Sequence, residues 1–182
     1  MSEVAERYTR IAAGFTARVE GLAPDQWSSP TPCSEWAVRD LVVHVVETHW
    51  RMIALVDGTD PDRADLGGDL VQQWRQARDA VTEALGDPAR ATKVVRGLFG
   101  EQPFEELVSG LLCGDTLIHT WDLARATGQD ERLDPGAVAA CAAFLAPLDE
   151  RMRSPGGFGP KITPAPDADE QTRLLNFCGR VV

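Results

Sequence analysis

The chain has 182 residues, 43% of them hydrophobic and 25% charged, and a formal net charge of −10. This size and composition describe one globular domain, residues 1–182, with a sizeable core. The acidic balance, with no basic run interleaved with aromatics, argues against phosphate-backbone binding and so against nucleic acid as a partner.

No stretch approaches the ~18 apolar residues that cross a bilayer. No basic-then-apolar leader opens the chain, so no membrane association is expected and the cytoplasm is the expected location. Cys33, Cys113, Cys141 and Cys178 are scattered without a C-x-x-C pair and are expected to be reduced, mostly buried thiols.

In chain order, Val4, Tyr8, Ile11, Phe15 and Val19 share one face of a helix predicted from about Glu3 to Leu22. The prolines of "SSPTP" force an extended connection from Trp27 to Pro32. A second helix is predicted from near Trp36 to about Val56, closed by Asp57-Gly58, with Leu41, Val45, Thr48, Met52 and Leu55 on one face. An acidic loop, "GTDPDRADLGG", separates it from a third helix over about Asp69 to Leu85, which Gly86-Asp87-Pro88 stops. Residues 91–103 are ambiguous: Val94 and Val95 favour a short strand, and the glycines favour a loop.

The fourth helix is predicted from just after Pro103 to Thr127, with Gly128 at the position where a left-handed conformation is cheap. A fifth starts at Pro135 and runs to about Met152, bent or shortened by Pro147. An irregular tail from Ser154 to Asp169 precedes a last apolar patch at Leu174, Leu175 and Phe177. Long helices with little strand signal predict an all-α antiparallel four-helix bundle with an additional C-terminal helix and an irregular tail.

The chemistry concentrates in few residues. His44, His49 and His119 are the only histidines. His44 shares the apolar face of the second helix, and His49 lies about 140° further round it. Asp115 and His119 stand at i and i+4 of the fourth helix among Val108, Leu111, Leu112, Ile118 and Trp121, and so share a face. A buried carboxylate pairs, protonates or binds a metal. One histidine from the second helix plus D-x-x-x-H from the fourth suits Zn²⁺, Fe²⁺ or Ni²⁺ and leaves positions open for water or substrate. A plain Asp–His hydrogen bond would satisfy the same spacing. Asp122 is expected to pair with Arg125 or to orient a ligand. Glu47 is expected to be solvated, or to accept from an imidazole N–H. No cysteine has a neighbour in sequence that would activate it.

The stretches "WSSPTPCSEWAVRDLVVHVV", "IHTWDLARATGQ" and "GFGPKITPAPDADEQTRLLNFCGR" resemble the DinB-like superfamily. Within it they resemble actinobacterial proteins similar to the metal-binding N-terminal domain of mycothiol-dependent maleylpyruvate isomerase. The resemblance implies a four-helix bundle holding one divalent metal, zinc before nickel or iron, through His44, Asp115 and His119. It also implies a low-molecular-weight thiol such as mycothiol or bacillithiol as co-substrate, and an electrophilic small-molecule substrate.

A thiol transferase or isomerase is the activity so implied; a non-catalytic metal- or thiol-binding module and a metal-free interaction protein are the alternatives. A homodimer is left open. Three departures stand out. Asp115 occupies the place of the isomerase's glutamate and is a methylene shorter, which draws the metal toward the fourth helix. No counterpart of the isomerase's second domain follows, so maleylpyruvate isomerisation itself is not expected. Ala37 occupies the place of a Thr or Ser, so Ser34 is expected to cap the second helix and start it earlier.

Overall fold

In the computed structural model, which describes residues 2–97, 100–153 and 157–182, most of the chain is helical. Those residues separate into two compact units, one ending at Arg132 and one starting at Leu133. Leu98 and Phe99 of the ambiguous stretch, and Ser154 to Gly156 at the start of the predicted tail, lie outside them.

The first unit opens with α1 (Glu3–Glu20), capped by the Ser2 hydroxyl, which accepts from the Ala5 N–H. After a 3₁₀ turn over Pro24–Ser28, α2 spans Val38–Asp57 and α3 spans Leu70–Gly86, the latter capped by Asp69. A single turn, α4 (Pro88–Ala91), leads into a two-stranded antiparallel hairpin, β1 (Val94–Gly97) and β2 (Gly100–Pro103), with Val95 opposite Gln102. The hairpin is a small addition to a mostly helical protein, and it decides the ambiguous stretch for strand at Val94 and Val95. Val95 turns its side chain into the core and Val94 faces out, the two-residue alternation of a strand.

From Phe104 the backbone stays helical to Thr127 in three parts: α5 (Phe104–Leu107), a wider π-helical segment (Val108–Leu112) and α6 (Cys113–Thr127). Gly128, at φ 68°, ends the rod in the left-handed conformation that a Cβ disfavours. Within this unit α1 packs on α3 and α6, and α2 packs on the same two helices. Tyr8, Phe15, Leu41, Trp74 and Trp121 are among the side chains fully removed from solvent between them. Burying such aromatic and aliphatic groups is worth roughly 1.5–3 kcal/mol each before entropy.

α6 is buried nearly all round, from Thr116 to Ala124. Its threonines satisfy their hydroxyls locally: Thr116 donates to the Leu112 carbonyl at 2.9 Å and Thr120 to the Thr116 carbonyl at 2.7 Å.

Two boundaries differ from expectation. α2 starts at Val38, not near Trp36, because Asp40 Oδ2 accepts the Ala37 N–H at 3.0 Å. That is the half of a capping box that survives when the cap residue is alanine, so Ser34 is not the cap. Leu55, placed on the core face of α2 by periodicity, is 39% exposed, while Ala54 and Val56 are buried near that end.

In the second unit, α7 (Pro135–Leu145) gives way to a 3₁₀ segment (Ala146–Arg153) where Pro147 interrupts the ladder. α8 (Glu170–Phe177), capped by Asp169, packs on α7 and buries Leu174 and Leu175. No helix among the described residues is long and apolar enough to cross a membrane.

Candidate metal centre

α2 and α6 face each other where α2 carries His44 and α6 carries Asp115 and His119. Asp115 Oδ1 lies 3.1 Å from His44 Nε2 and 3.6 Å from His119 Nε2. Donors bonded to one tetrahedral ion at the usual 2.0–2.2 Å sit about 3.4 Å apart. The two measured separations bracket that value, so the three side chains form a group that could hold a divalent metal. Asp115 Oδ2 is buried and has no hydrogen-bond partner among the described residues, a further lone pair on the same carboxylate left unsatisfied.

The far side of His119 is equally determined. Its Nδ1–H donates to Asp122 Oδ2 at 3.0 Å, and Asp122 is fully buried. A neutral imidazole whose proton is held at Nδ1 presents its lone pair at Nε2, toward Asp115. Lone pair facing carboxylate oxygen is repulsive unless a cation or a second proton lies between them. This carboxylate–histidine pairing is the usual support behind a metal-ligating imidazole.

Electrostatics agree. Burial pushes the Asp115 carboxyl up, but the charge and hydrogen bonds of His119, with those of His44, outweigh it and hold Asp115 well below the usual carboxylate range. Burial pushes His119 down, yet Asp115 first, then the hydrogen bonds to Asp122 and Cys33, raise it well above its ordinary value. The cluster is therefore a place that stabilises positive charge.

The wall over this cluster comes from the loop before α2. Thr31 N–H donates to the Trp36 carbonyl at 3.0 Å and Val38 N–H to the Ser29 carbonyl at 2.9 Å, closing the loop on itself. The Trp36 ring rests 4.8 Å from the His44 ring and 5.8 Å from the His119 ring, while the two imidazoles meet edge to face at 4.9 Å. The same loop brings Cys33 to Asp122: its S–H donates to Oδ2 at 3.3 Å, and Sγ lies 3.9 Å from His119 Nδ1.

Several expectations change here. His44, expected on the apolar face of the second helix, is partly open, its side chain 26% exposed; the buried histidine of α2 is His49. Of the two roles expected for Asp122, the pairing with Arg125 is not made: Asp122 turns inward to His119, in place to orient that ring, and Arg125 pairs with Glu131 at 2.8 Å and lies over the Trp121 ring. Glu47 neither reaches an imidazole nor stays solvated: Arg63 at 3.2 Å and Arg51 at 3.4 Å hold it. His49 does not join the cluster. It packs against Trp74 and Tyr8, donates from Nδ1 to the Val45 carbonyl at 2.8 Å, and is pushed down by burial to about 4.

Cys33 and Trp36 were missed as neighbours of the cluster. They stand 89 and 83 residues before Asp122 and His119 in the chain, and their one local signal is their place in a proline-rich loop just ahead of the histidine helix.

A mostly helical protein with a His, Asp, His cluster able to take a metal is the class these features define. The family model described as "Mycothiol maleylpyruvate isomerase N-terminal domain" matches residues 8–124. The chain belongs to that family, and the match spans the part of the sequence that carries every member of the cluster.

Among curated proteins it is similar to two from Mycobacterium tuberculosis. These are the "Uncharacterized protein Rv0738" of strain ATCC 25618 / H37Rv and the "Uncharacterized protein MT0763" of strain CDC 1551 / Oshkosh. Each is 32% identical over 182 residues, covering 96% of both chains. No solved structure matches the chain.

Proposed function

We propose that the protein binds one divalent metal, zinc before nickel or iron, through His44, Asp115 and His119. On this reading it uses the metal to present a mycothiol-type thiol to an electrophilic small molecule, as a thiol transferase or isomerase in the cytoplasm. The observation that carries the reading is the Asp122–His119 hydrogen bond, which aims His119 Nε2 at the space shared with Asp115 and His44. The family match supports the thiol, and the mutual packing of α1, α2, α3 and α6 supports an antiparallel DinB-like four-helix bundle as the frame.

A divalent ion held by His44, Asp115 and His119 would supply Lewis acidity and favour the thiolate form of a thiol at neutral pH. The chain does the rest. Asp122 keeps the imidazole proton of His119 at Nδ1. Asp115 offers one negative charge beside two imidazoles, a donor set that would leave a divalent ion with net positive charge to attract a thiolate. Trp36 covers the histidine rings and excludes water from that side, while the part-exposed edge of His44 leaves a way in.

The competing reading is a metal-free hydrogen bond between His44 and Asp115, which their 3.1 Å separation also permits. Metal analysis of untagged protein separates the two. About one equivalent in the wild type, lost in both His44→Ala and His119→Ala, is the expected result. A trace content that neither substitution changes overturns it. Incubation with mycothiol and a panel of electrophiles then reads turnover directly.

A further inference from the structure

His119 has two nitrogens, and each faces its own set of donors. Nε2 faces Asp115 and His44; Nδ1 faces Asp122 Oδ2 at 3.0 Å and Cys33 Sγ at 3.9 Å, with Sγ and Oδ2 3.3 Å apart. A tetrahedral ion with bonds of about 2.3 Å to sulfur and 2.0–2.1 Å to nitrogen or oxygen sets its donors about 3.4–3.6 Å apart. Cys33, His119 and Asp122 approach those separations within about 0.4 Å.

We infer that Cys33, His119 Nδ1 and Asp122 form a second metal position, alternative to the first, that selects thiophilic ions such as zinc, cobalt(II) or cadmium.

The two donor sets differ in softness. The first offers two imidazoles and a carboxylate; the second replaces one imidazole with a thiolate, which favours softer ions. They exclude each other because a neutral imidazole has one lone pair. When the ion sits with Asp115 and His44, the imidazole proton is at Nδ1 and bonds Asp122. When it sits with Cys33 and Asp122, that proton moves to Nε2, where Asp115 Oδ1 at 3.6 Å takes it after a small approach. The thiol proton of Cys33 is released to solvent as the sulfur–metal bond forms, and where the His119 ring carries a second proton, the one at Nδ1 leaves with it. No electron is transferred.

Cys33 is built into place. The Thr31 hydroxyl accepts the Cys33 N–H at 3.2 Å, and its one proton faces the Trp36 carbonyl at 2.9 Å and the Cys33 carbonyl at 3.2 Å. Trp36 N–H donates to the same carbonyl at 3.1 Å. Glu35 completes the turn at φ 72°, a left-handed conformation that a non-glycine residue holds only where its surroundings impose it. A hollow of about 270 Å³, lined by Ser28, Pro30, Thr31, Glu35 and Trp36 beside Cys33, gives an ion a path to the sulfur. Cys113, Cys141 and Cys178 are buried, whereas Cys33 is part-exposed.

The second position shares His119 with the first but none of its other donors, so either can fail alone. Cobalt(II) titrated anaerobically into the metal-free full-length protein reads both. Sulfur-to-cobalt charge transfer in the near ultraviolet reports Cys33, and the visible ligand-field bands report any bound ion. The expected result is a charge-transfer band in wild type that grows in His44→Ala, where the competing position is lost. In Cys33→Ser and Cys33→Ala the band disappears at every cobalt level while His44-dependent ligand-field bands remain.

Circular dichroism of the four proteins confirms that each is folded, and His44→Gln serves if His44→Ala is not. Cobalt bound with no charge-transfer band in wild type or His44→Ala overturns the inference, as does a band that survives in Cys33→Ser. Loss of the His44-dependent bands alone would instead overturn the first position and leave this one standing.

Discussion

His44 and His49 sit five residues apart on α2 and live in opposite environments. His44 is part-exposed and meets Asp115 and His119; His49 is sealed between Trp74 and Tyr8, with one nitrogen on a backbone carbonyl. The first neighbourhood gathers carboxylates around imidazoles and favours positive charge. The second removes water without supplying a carboxylate partner and holds its histidine neutral. Residue type is the same at both positions. What the neighbouring helices bring decides whether the ring is a donor for a cation or a piece of the core.

The contrast can be broken first at Asp115, whose carboxylate lies between the two imidazoles of the cluster. Asp115→Asn is expected to lower metal affinity by more than about 100-fold, beyond the ~10–100-fold that outer partners contribute; competition with a chelating dye measures it. An unchanged affinity would mean the cluster is not the metal position.

His49 is next. Its folded-state value is depressed from 6.5 to about 4, so the unfolded chain takes up a proton first as pH falls. Stability is therefore full above pH 6.5 and is lost as pH drops from there toward 4, by about 3 kcal/mol in all. Urea unfolding at several pH values in wild type and His49→Phe tests this. The phenylalanine variant should lack that part of the acid sensitivity.

A smaller effect is expected at Asp122. Asp122→Asn keeps the shape but removes the charge that fixes the His119 tautomer, and should weaken metal binding ~10–100-fold. The smallest is at Glu47, whose partners Arg51 and Arg63 are exposed. Glu47→Gln should change the melting free energy by no more than about 1 kcal/mol and leave metal content alone. A large loss of metal there would extend the cluster outward past His44.

Much of the helical frame was legible in advance. Ser2, Asp69 and Gly128 cap where their chemistry says they should, and Pro147 ends an α-helix as a residue without an N–H must. The phase along the long helix was harder. The π-helical turn at Val108–Leu112 adds an extra residue's rotation just before Asp115, so Leu111, placed on the buried side by spacing, is only half-buried. Past it, α6 is covered on every side, and a helix buried all round carries no apolar stripe to read. Val94 and Val95 hinted at the hairpin, but strand pairing is a contact between segments and is not written in either one alone.

By itself the sequence determined local matters: where most of the helices stop, and that Asp115 and His119 share a face one turn apart. Those are consequences of backbone geometry over a few residues. The tertiary structure alone decided that His49 is sealed between Trp74 and Tyr8, that Asp122 goes to His119 while Arg125 goes to Glu131, and that a loop 89 residues upstream sets a thiol on the far side of the same ring. A donor's partners depend on which helices pack together, and that follows from burying the whole apolar surface at once.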